Sequence, residues 1–143
     1  MPLAVVAAIA AGTFIAVQTL LIGGFGTRTS PLAVALWVHV AGTVTALVAV
    51  LLAGDGFGLA AVRAAPVGLL AGVAGVGIVT SIAIAVAPLG LAATLAVVTG
   101  VQLLLAFALE AAGVGGPRVP LDPLRLVGAA LLVVGVLLVF GRR

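Results

Sequence analysis

The chain has 143 residues, of which 65% are hydrophobic and 6% charged, and its mean hydropathy is +1.55. A soluble domain has roughly a quarter of its residues charged, so this composition indicates an all-α integral membrane protein in contact with lipid. The few cationic residues are all arginines and form no aromatic-interleaved basic stretch, which excludes a nucleic-acid partner. No cysteine is present, so disulfides and thiolate chemistry are excluded.

Five apolar runs are long enough to cross the hydrocarbon layer, which takes roughly 20 helical residues. They cover about residues 2–24, 31–53, 66–87, 90–112 and 123–140. The first run lacks the basic residues of a signal peptide, so we interpret it as a retained helix. The alternation typical of membrane-barrel strands is absent. The sequence therefore predicts one transmembrane domain over residues 1–143, with five helices.

The helix boundaries are marked by turn and capping residues. Ser30-Pro31 and Asp122-Pro123 each predict an N-cap followed by proline at the first helical position. Pro66 opens the third run in the same way. The remaining connections are a tight turn in "APLG" (87–90) and longer loops at 54–63 and 113–122.

Small residues mark two helices for close packing, which lipid itself does not drive. The third helix contains Gly68, Gly72, Gly75 and Gly77. The fifth contains Gly128 and Gly135, which are seven residues apart and lie on one face. Packing within the chain and packing between subunits both explain such glycines. For the last helix the sharper hypothesis is a dimer interface at Gly128 and Gly135.

The arginines divide equally between the two ends of a five-helix bundle, although cytoplasmic loops normally carry the excess. One end would hold Arg63, Arg118 and Arg125, and the other Arg28, Arg142 and Arg143. Either another feature sets a single orientation, or the chain inserts in both orientations. The second alternative would allow an antiparallel homodimer.

Polar residues of four helices lie in one half of the predicted bundle or near its centre. This pattern favours the lining of a cavity that binds a substrate or an ion, although scattered contacts between helices are the alternative. Single Ser and Thr residues commonly bond the carbonyl four residues earlier in their own helix. The candidate binding residues are Gln18, His39, Thr80, Ser81, Thr99 and Gln102.

His39 is the only histidine and stands in an uncharged apolar run, in "WVHVAGT". An ionisable residue inside a membrane helix is a functional hypothesis by default. Imidazole exchanges a proton near neutral pH, so proton coupling is one expectation. The alternative is a neutral ring that is satisfied between packed helices. Glu110, near the end of the fourth helix, could extend to water at the interface or pair with Arg118 or Arg125, and the ion pair is the expectation.

One histidine and three widely separated acids leave no metal site, no catalytic constellation and no cofactor site. The sequence therefore predicts that the chain is not an enzyme. No nucleotide-binding loop is present, so ATP is not expected to drive it directly.

Residues 87–139, "APLGLAATLAVVTGVQLLLAFALEAAGVGGPRVPLDPLRLVGAALLVVGVLLV", resemble the drug/metabolite transporter superfamily, in particular its five-helix YdcZ-like branch of EamA-type half-transporters. The shared features are the turn, Gln102 with Glu110 eight residues later, and a glycine-rich loop. Gln18 matches a first-helix glutamine. The chain has Ile22 where the family often has asparagine.

Two segments are also similar to small multidrug resistance proteins of the same superfamily. "GAALLVVGV" (128–136) resembles their dimerising last-helix motif. "HVAGTV" (39–44) resembles the segment around their membrane-embedded glutamate, with His39 at the position of the acid.

The resemblance implies a secondary-active transporter or exporter of small molecules in the bacterial inner membrane. It would work as a homodimer or as a heterodimer with a similar five-helix chain, with ten helices around a midplane site. The alternative is a non-transporting membrane subunit or scaffold that assembles with a similar partner.

Overall fold

The computed structural model describes residues 2–54, 56–114 and 122–140, and every regular element in these ranges is helical. The predicted all-α class is therefore confirmed. The elements are α1 (Pro2–Gly26), α2 (Pro31–Ala53), α3 (Leu59–Ala64), a 3₁₀ turn (Pro66–Leu69), α4 (Leu70–Leu89), α5 (Leu91–Ala112) and α6 (Pro123–Phe140).

Among the described residues, four segments are long and apolar enough to cross a membrane. They are Pro2–Gly26, Pro31–Ala53, Pro66–Leu89 and Leu91–Ala112. The last helix, α6, is equally apolar but has only 18 residues, which corresponds to about 27 Å at 1.5 Å per residue. Four membrane-length helices are thus present, and a fifth crossing by α6 stays a prediction.

The predicted N-caps of α2 and α6 are both confirmed. The Ser30 hydroxyl accepts a hydrogen bond from the Ala33 N–H at 3.3 Å. The Asp122 carboxylate accepts one from the Arg125 N–H at 2.9 Å. In each case proline follows the cap, where a missing N–H leaves no helical bond unmade. Local capping chemistry therefore fixes where these helices begin.

Two connections differ from the sequence predictions. The expected loop at 54–63 contains the short helix α3, and the third span opens with one 3₁₀ turn before it becomes α-helical. The turn expected at 87–90 is reduced to Gly90, because α4 continues through Pro88 to Leu89. Gly90 has φ 76° and ψ 167°, a conformation that only glycine adopts without strain.

The chain divides after Pro88 into two compact units. In the first, α1, α2 and α4 meet around a buried apolar core made of Ile22, Val34, Ala35, Val79, Ile82 and Ala83. Gly23 lets α1 approach α4 closely, because an added Cβ would lie 2.6 Å from Val86 Cγ1. The single transmembrane domain predicted from the sequence remains a prediction.

In the second unit α5 packs against α6. Gly100 is buried at their contact, where an added Cβ would lie 3.1 Å from Val136 Cγ2. Arg125 of α6 pairs with Glu110 of α5 at 3.0 Å. The predicted pairing of Glu110 with Arg125 is thus confirmed, whereas the alternative partner, Arg118, lies outside the described residues.

Most of the helix surface is not covered by the chain itself. In the most apolar window of each membrane-length helix, no more than 17% of the residues are buried. Large side chains such as Leu3 and Leu52 are more than 80% exposed. Lipid or further helices must therefore cover these surfaces.

Candidate functional site

His39 lies near the middle of α2 with its ring half-buried. Its Nδ1 is 2.8 Å from the carbonyl oxygen of Ala35, one turn earlier. Because a carbonyl oxygen only accepts, Nδ1 must carry the hydrogen and donate it. In the neutral ring Nε2 then holds a free lone pair. The helix thus selects the tautomer and fixes the direction of the ring.

The Nε2 edge of the ring lies against α4 at Gly75. A Cβ added to Gly75 would be only 2.8 Å from Nε2, closer than real Cβ contacts come. Gly75 therefore makes the space that the imidazole occupies. Added Cβ atoms at Gly68, Gly72 and Gly77 would meet nothing within 4 Å. Of the four glycines noted in the predicted third helix, only Gly75 thus has a neighbouring side chain in the structure.

Gln18 is exposed on α1 and lies in a cleft between α1 and α2 with a volume of about 400 Å³. It is the one polar residue among those lining this cleft. The other lining residues are Leu21, Ile22, Phe25, Val38 and Ala41. His39 is not among them, since its Nε2 edge faces α4. The cleft that contains Gln18 and the ring of His39 thus lie on different sides of α2. That Gln18 and His39 share one cavity stays a prediction.

The two polar candidates on α4 have different surroundings. Thr80 Oγ1 is buried and has no hydrogen-bond partner within the part of the chain that the structure describes. Ser81 is exposed, on the side of α4 away from the core residues Val79 and Ala83. Four other threonines bond the carbonyl four residues earlier, as expected: Thr13, Thr19, Thr45 and Thr94.

In the second unit, Thr99 and Gln102 are exposed on α5. Val97, Gly100, Val101 and Leu104 are the α5 residues that face α6, and at 100° per residue both polar residues lie away from the centre of that side. A cavity of about 180 Å³ lies between α5 and α6. Its lining is entirely apolar: Val97, Gly100, Val101, Leu104, Leu132, Val133, Val136 and Leu137. The α5–α6 contact therefore uses neither polar candidate.

Gly128 and Gly135 are both exposed on α6. A Cβ added to either would meet nothing within 4 Å, whereas Leu132 and Val136 of the same helix lie near Gly100. The two glycines therefore form an open strip beside the α5-facing side of α6. This geometry leaves room for a second helix, and the dimer interface stays a prediction.

In the part of the chain that the structure describes, charged residues lie near helix ends or in the connections between helices. The sequences of α1, α2 and α4 contain no Asp, Glu, Lys or Arg. Glu110, Asp122 and Arg125 form a small cluster at one end of the second unit. Within the described ranges no three His, Asp or Glu residues come close enough to hold a metal ion. The chemistry offered inside the membrane is thus hydrogen bonding by amides and hydroxyls, with one imidazole.

A family model described as "Putative inner membrane exporter, YdcZ" matches residues 3–138. The chain belongs to this family. The resemblance drawn from residues 87–139 and Gln18 is thereby confirmed, and it extends over nearly the whole chain. With its membrane-length helices, the chain is a multi-pass protein of the inner membrane. No curated protein and no solved structure matches the chain.

Proposed function

We propose that the chain is one half of a dimeric, secondary-active exporter of small molecules. Membership of an exporter family supports this proposal. So does the sparse burial within the chain, which leaves helix surface for a second copy or a similar partner chain. The observation that carries the proposal is His39, an ionisable ring held at a fixed angle in an uncharged membrane helix.

The geometry of His39 suits proton exchange. With Nδ1–H bound to Ala35, any proton taken up from water or substrate must go to Nε2. Nε2 is also the atom that contacts α4, so the positive charge of the protonated ring would lie at the contact between α2 and α4. Such a ring can link proton binding to helix movement, which is what a proton-coupled exporter requires.

The dimer would use the open strip at Gly128 and Gly135. Both parallel and antiparallel arrangements fit the even division of the arginines along the sequence. Three of the six arginines lie outside the described residues: Arg118, Arg142 and Arg143. The orientation of the chain in the membrane is therefore part of the proposal. In a homodimer, and equally in a heterodimer with a similar five-helix chain, α6 would form the interface.

The second candidate is a non-transporting membrane subunit or scaffold. The α5–α6 cavity favours it, since that cavity is lined by apolar residues alone. A scaffold would have no use for the imidazole of His39 as a proton carrier. Substitution of His39 therefore separates the two candidates.

The test compares cells that express the wild type, His39→Phe or no chain. Phenylalanine keeps the approximate volume of the ring and removes both nitrogens. We expect the wild type to raise the outside-to-inside ratio of at least one small molecule, measured by mass spectrometry at external pH from about 5.5 to 8. His39→Phe should abolish that rise at equal membrane abundance. Thr13→Val is the control, because Thr13 bonds only its own helix, at Ile9.

If no compound changes its distribution with the wild type, the exporter proposal is wrong and the scaffold stands. If His39→Phe exports as well as the wild type at every pH, His39 is a packing residue.

A further inference from the structure

The cleft between α1 and α2 has the dimensions of a small-molecule site. Its volume of about 400 Å³ lies in the range of such sites, roughly 300–1,000 Å³. Its lining combines apolar side chains with the single carboxamide of Gln18. One orienting polar group in an apolar pocket is the usual composition of a ligand site.

The Gln18 carboxamide has no hydrogen-bond partner among the described residues, although it lies well inside the membrane. It is four residues from the middle of α1, or about 6 Å along the axis. The hydrocarbon layer extends about 15 Å either side of its midplane. An exposed amide at that depth is costly unless something bonds to it. The position therefore calls for an occupant that donates or accepts a hydrogen bond.

The rim of the cleft argues against a helix as that occupant. Leu21 is 66% exposed and Phe25 is 37% exposed, and both project beside Gln18. Large side chains at the rim hold a second helix at a distance, whereas membrane helices pack closely over small residues. Gly128 and Gly135 on α6 form an open surface of small residues of that kind. A small molecule fits the cleft better than a second copy does.

The charges narrow the class of molecule. Neither α1 nor α2 contains an acidic residue. Glu110 pairs with Arg125, Asp122 caps α6, and the third acid of the chain, Asp55, lies outside the described residues. A cation in the cleft would therefore lose its water with no carboxylate to pair with. A carboxamide offers both a donor and an acceptor to an uncharged group.

We propose that the α1–α2 cleft binds an uncharged amphiphile, whose hydroxyl or amide group hydrogen-bonds to Gln18. Its hydrocarbon body lies along Leu21, Ile22 and Val38, and it enters from the bilayer through the open side of the cleft. That this amphiphile is the exported substrate rests on the proposed function. Its binding to the cleft can be measured without any transport assay.

The single tryptophan of the chain supplies the reporter. Trp37 is exposed and lies one helical turn before Ala41, on the same side of α2. Bromine quenches tryptophan fluorescence at short range. The full chain is reconstituted in lipid nanodiscs and titrated with 11-bromoundecanol, with bromoundecane, or with the corresponding bromoundecyl trimethylammonium ion. We expect saturable quenching by the alcohol, above the linear rise that partitioning alone gives.

Three variants locate the site. Gln18→Leu should raise the apparent dissociation constant of the alcohol about fivefold to tenfold, the effect of one lost hydrogen bond. Ala41→Leu should abolish saturation by filling the cleft. Thr13→Val, on the same helix but outside the lining, should change the constant less than about twofold.

Other outcomes overturn the proposal. Equal saturation by bromoundecane would identify a lipid-chain groove, and tighter saturation by the cation would contradict the uncharged class. Saturation that appears only after Gly128→Leu with Gly135→Leu would mean that a second copy covers the cleft. If saturable binding is observed but no compound is exported, the exporter proposal is wrong and the binding site stands. If export is observed without saturable quenching, the binding site is wrong and the exporter proposal stands.

Discussion

Gly75 in the first unit and the Gly128–Gly135 strip in the second differ in what surrounds them. In the first unit Gly75 is occupied, since the ring of His39 fills the space that a side chain would take. In the second unit Gly128 and Gly135 are empty, with no atom near the position of an added Cβ. In a membrane a glycine permits close approach but does not cause it. Gly75 therefore belongs to a contact already made within the chain, whereas Gly128 and Gly135 lie on open surface, where the proposed partner helix would pack.

The largest effect should come from closing the empty strip. Replacing Gly128 and Gly135 by Leu would hold a partner helix away from α6. We expect dimer affinity to fall at least about a hundredfold, the loss of roughly 3 kcal/mol of close packing. Energy transfer between labelled chains diluted in lipid measures it.

The matched control replaces Gly12 and Gly24 of α1 by Leu, since these glycines also have nothing within 4 Å. That variant should dimerise as the wild type does. Equal loss of energy transfer in the two variants would show that α6 is not the specific interface.

A smaller effect should come from overfilling the occupied site. In Gly75→Ala the new methyl would meet His39 Nε2 at 2.8 Å, so the ring must shift, and the shift would strain its bond to Ala35. We expect a loss of about 1–3 kcal/mol in the free energy of unfolding, as for other overpacked sites. Denaturant titration in micelles measures it.

Gly77→Ala is the control within the same helix, because a Cβ there meets nothing. It should be neutral or stabilising by up to about 1 kcal/mol, the usual gain of alanine over glycine in a helix. In a His39→Ala background, Gly75→Ala should lose most of its cost, because the clashing ring is gone. If Gly75→Ala lowers the free energy of unfolding equally in that background, its cost does not come from a clash with His39.

Helix positions could be predicted from the sequence because their signals are local. Ser30 and Asp122 each cap the helix that the following proline begins, and run length located the four membrane-length segments. The pairing of Glu110 with Arg125 was also accessible, since few charges exist to choose from. The short helix α3 was missed because six residues carry too little periodic signal.

Which glycine meets which neighbour could not be predicted. In a soluble helix the apolar stripe marks the packing face, but these helices are apolar all round, so no face stands out. His39 and Gly75 meet only because α2 and α4 share a core that the sequence does not encode locally. For the same reason the sequence does not show that the cleft containing Gln18 and the ring of His39 lie on different sides of α2. The position of a residue along its helix could be predicted from the sequence, whereas the direction of its side chain around the helix axis could not.

The smallest effect should come from the ion pair of the second unit. The side chains of Arg125 and Glu110 are 36% and 47% exposed, and ion pairs with this access to solvent contribute about 0–1 kcal/mol. Arg125 would also keep Asp122 as a neighbour at 3.9 Å after the change. We therefore expect Glu110→Gln to lower the free energy of unfolding by less than about 1 kcal/mol, and by less still at high salt.

Gly100→Ala gives the comparison within the same unit, since its methyl would press on Val136 of α6 at 3.1 Å. It should cost more than Glu110→Gln in the same denaturant titration. The opposite order would mean that charge at the helix ends, and not packing at Gly100, holds α5 to α6. The second unit would then differ from the first in the kind of force that joins its helices.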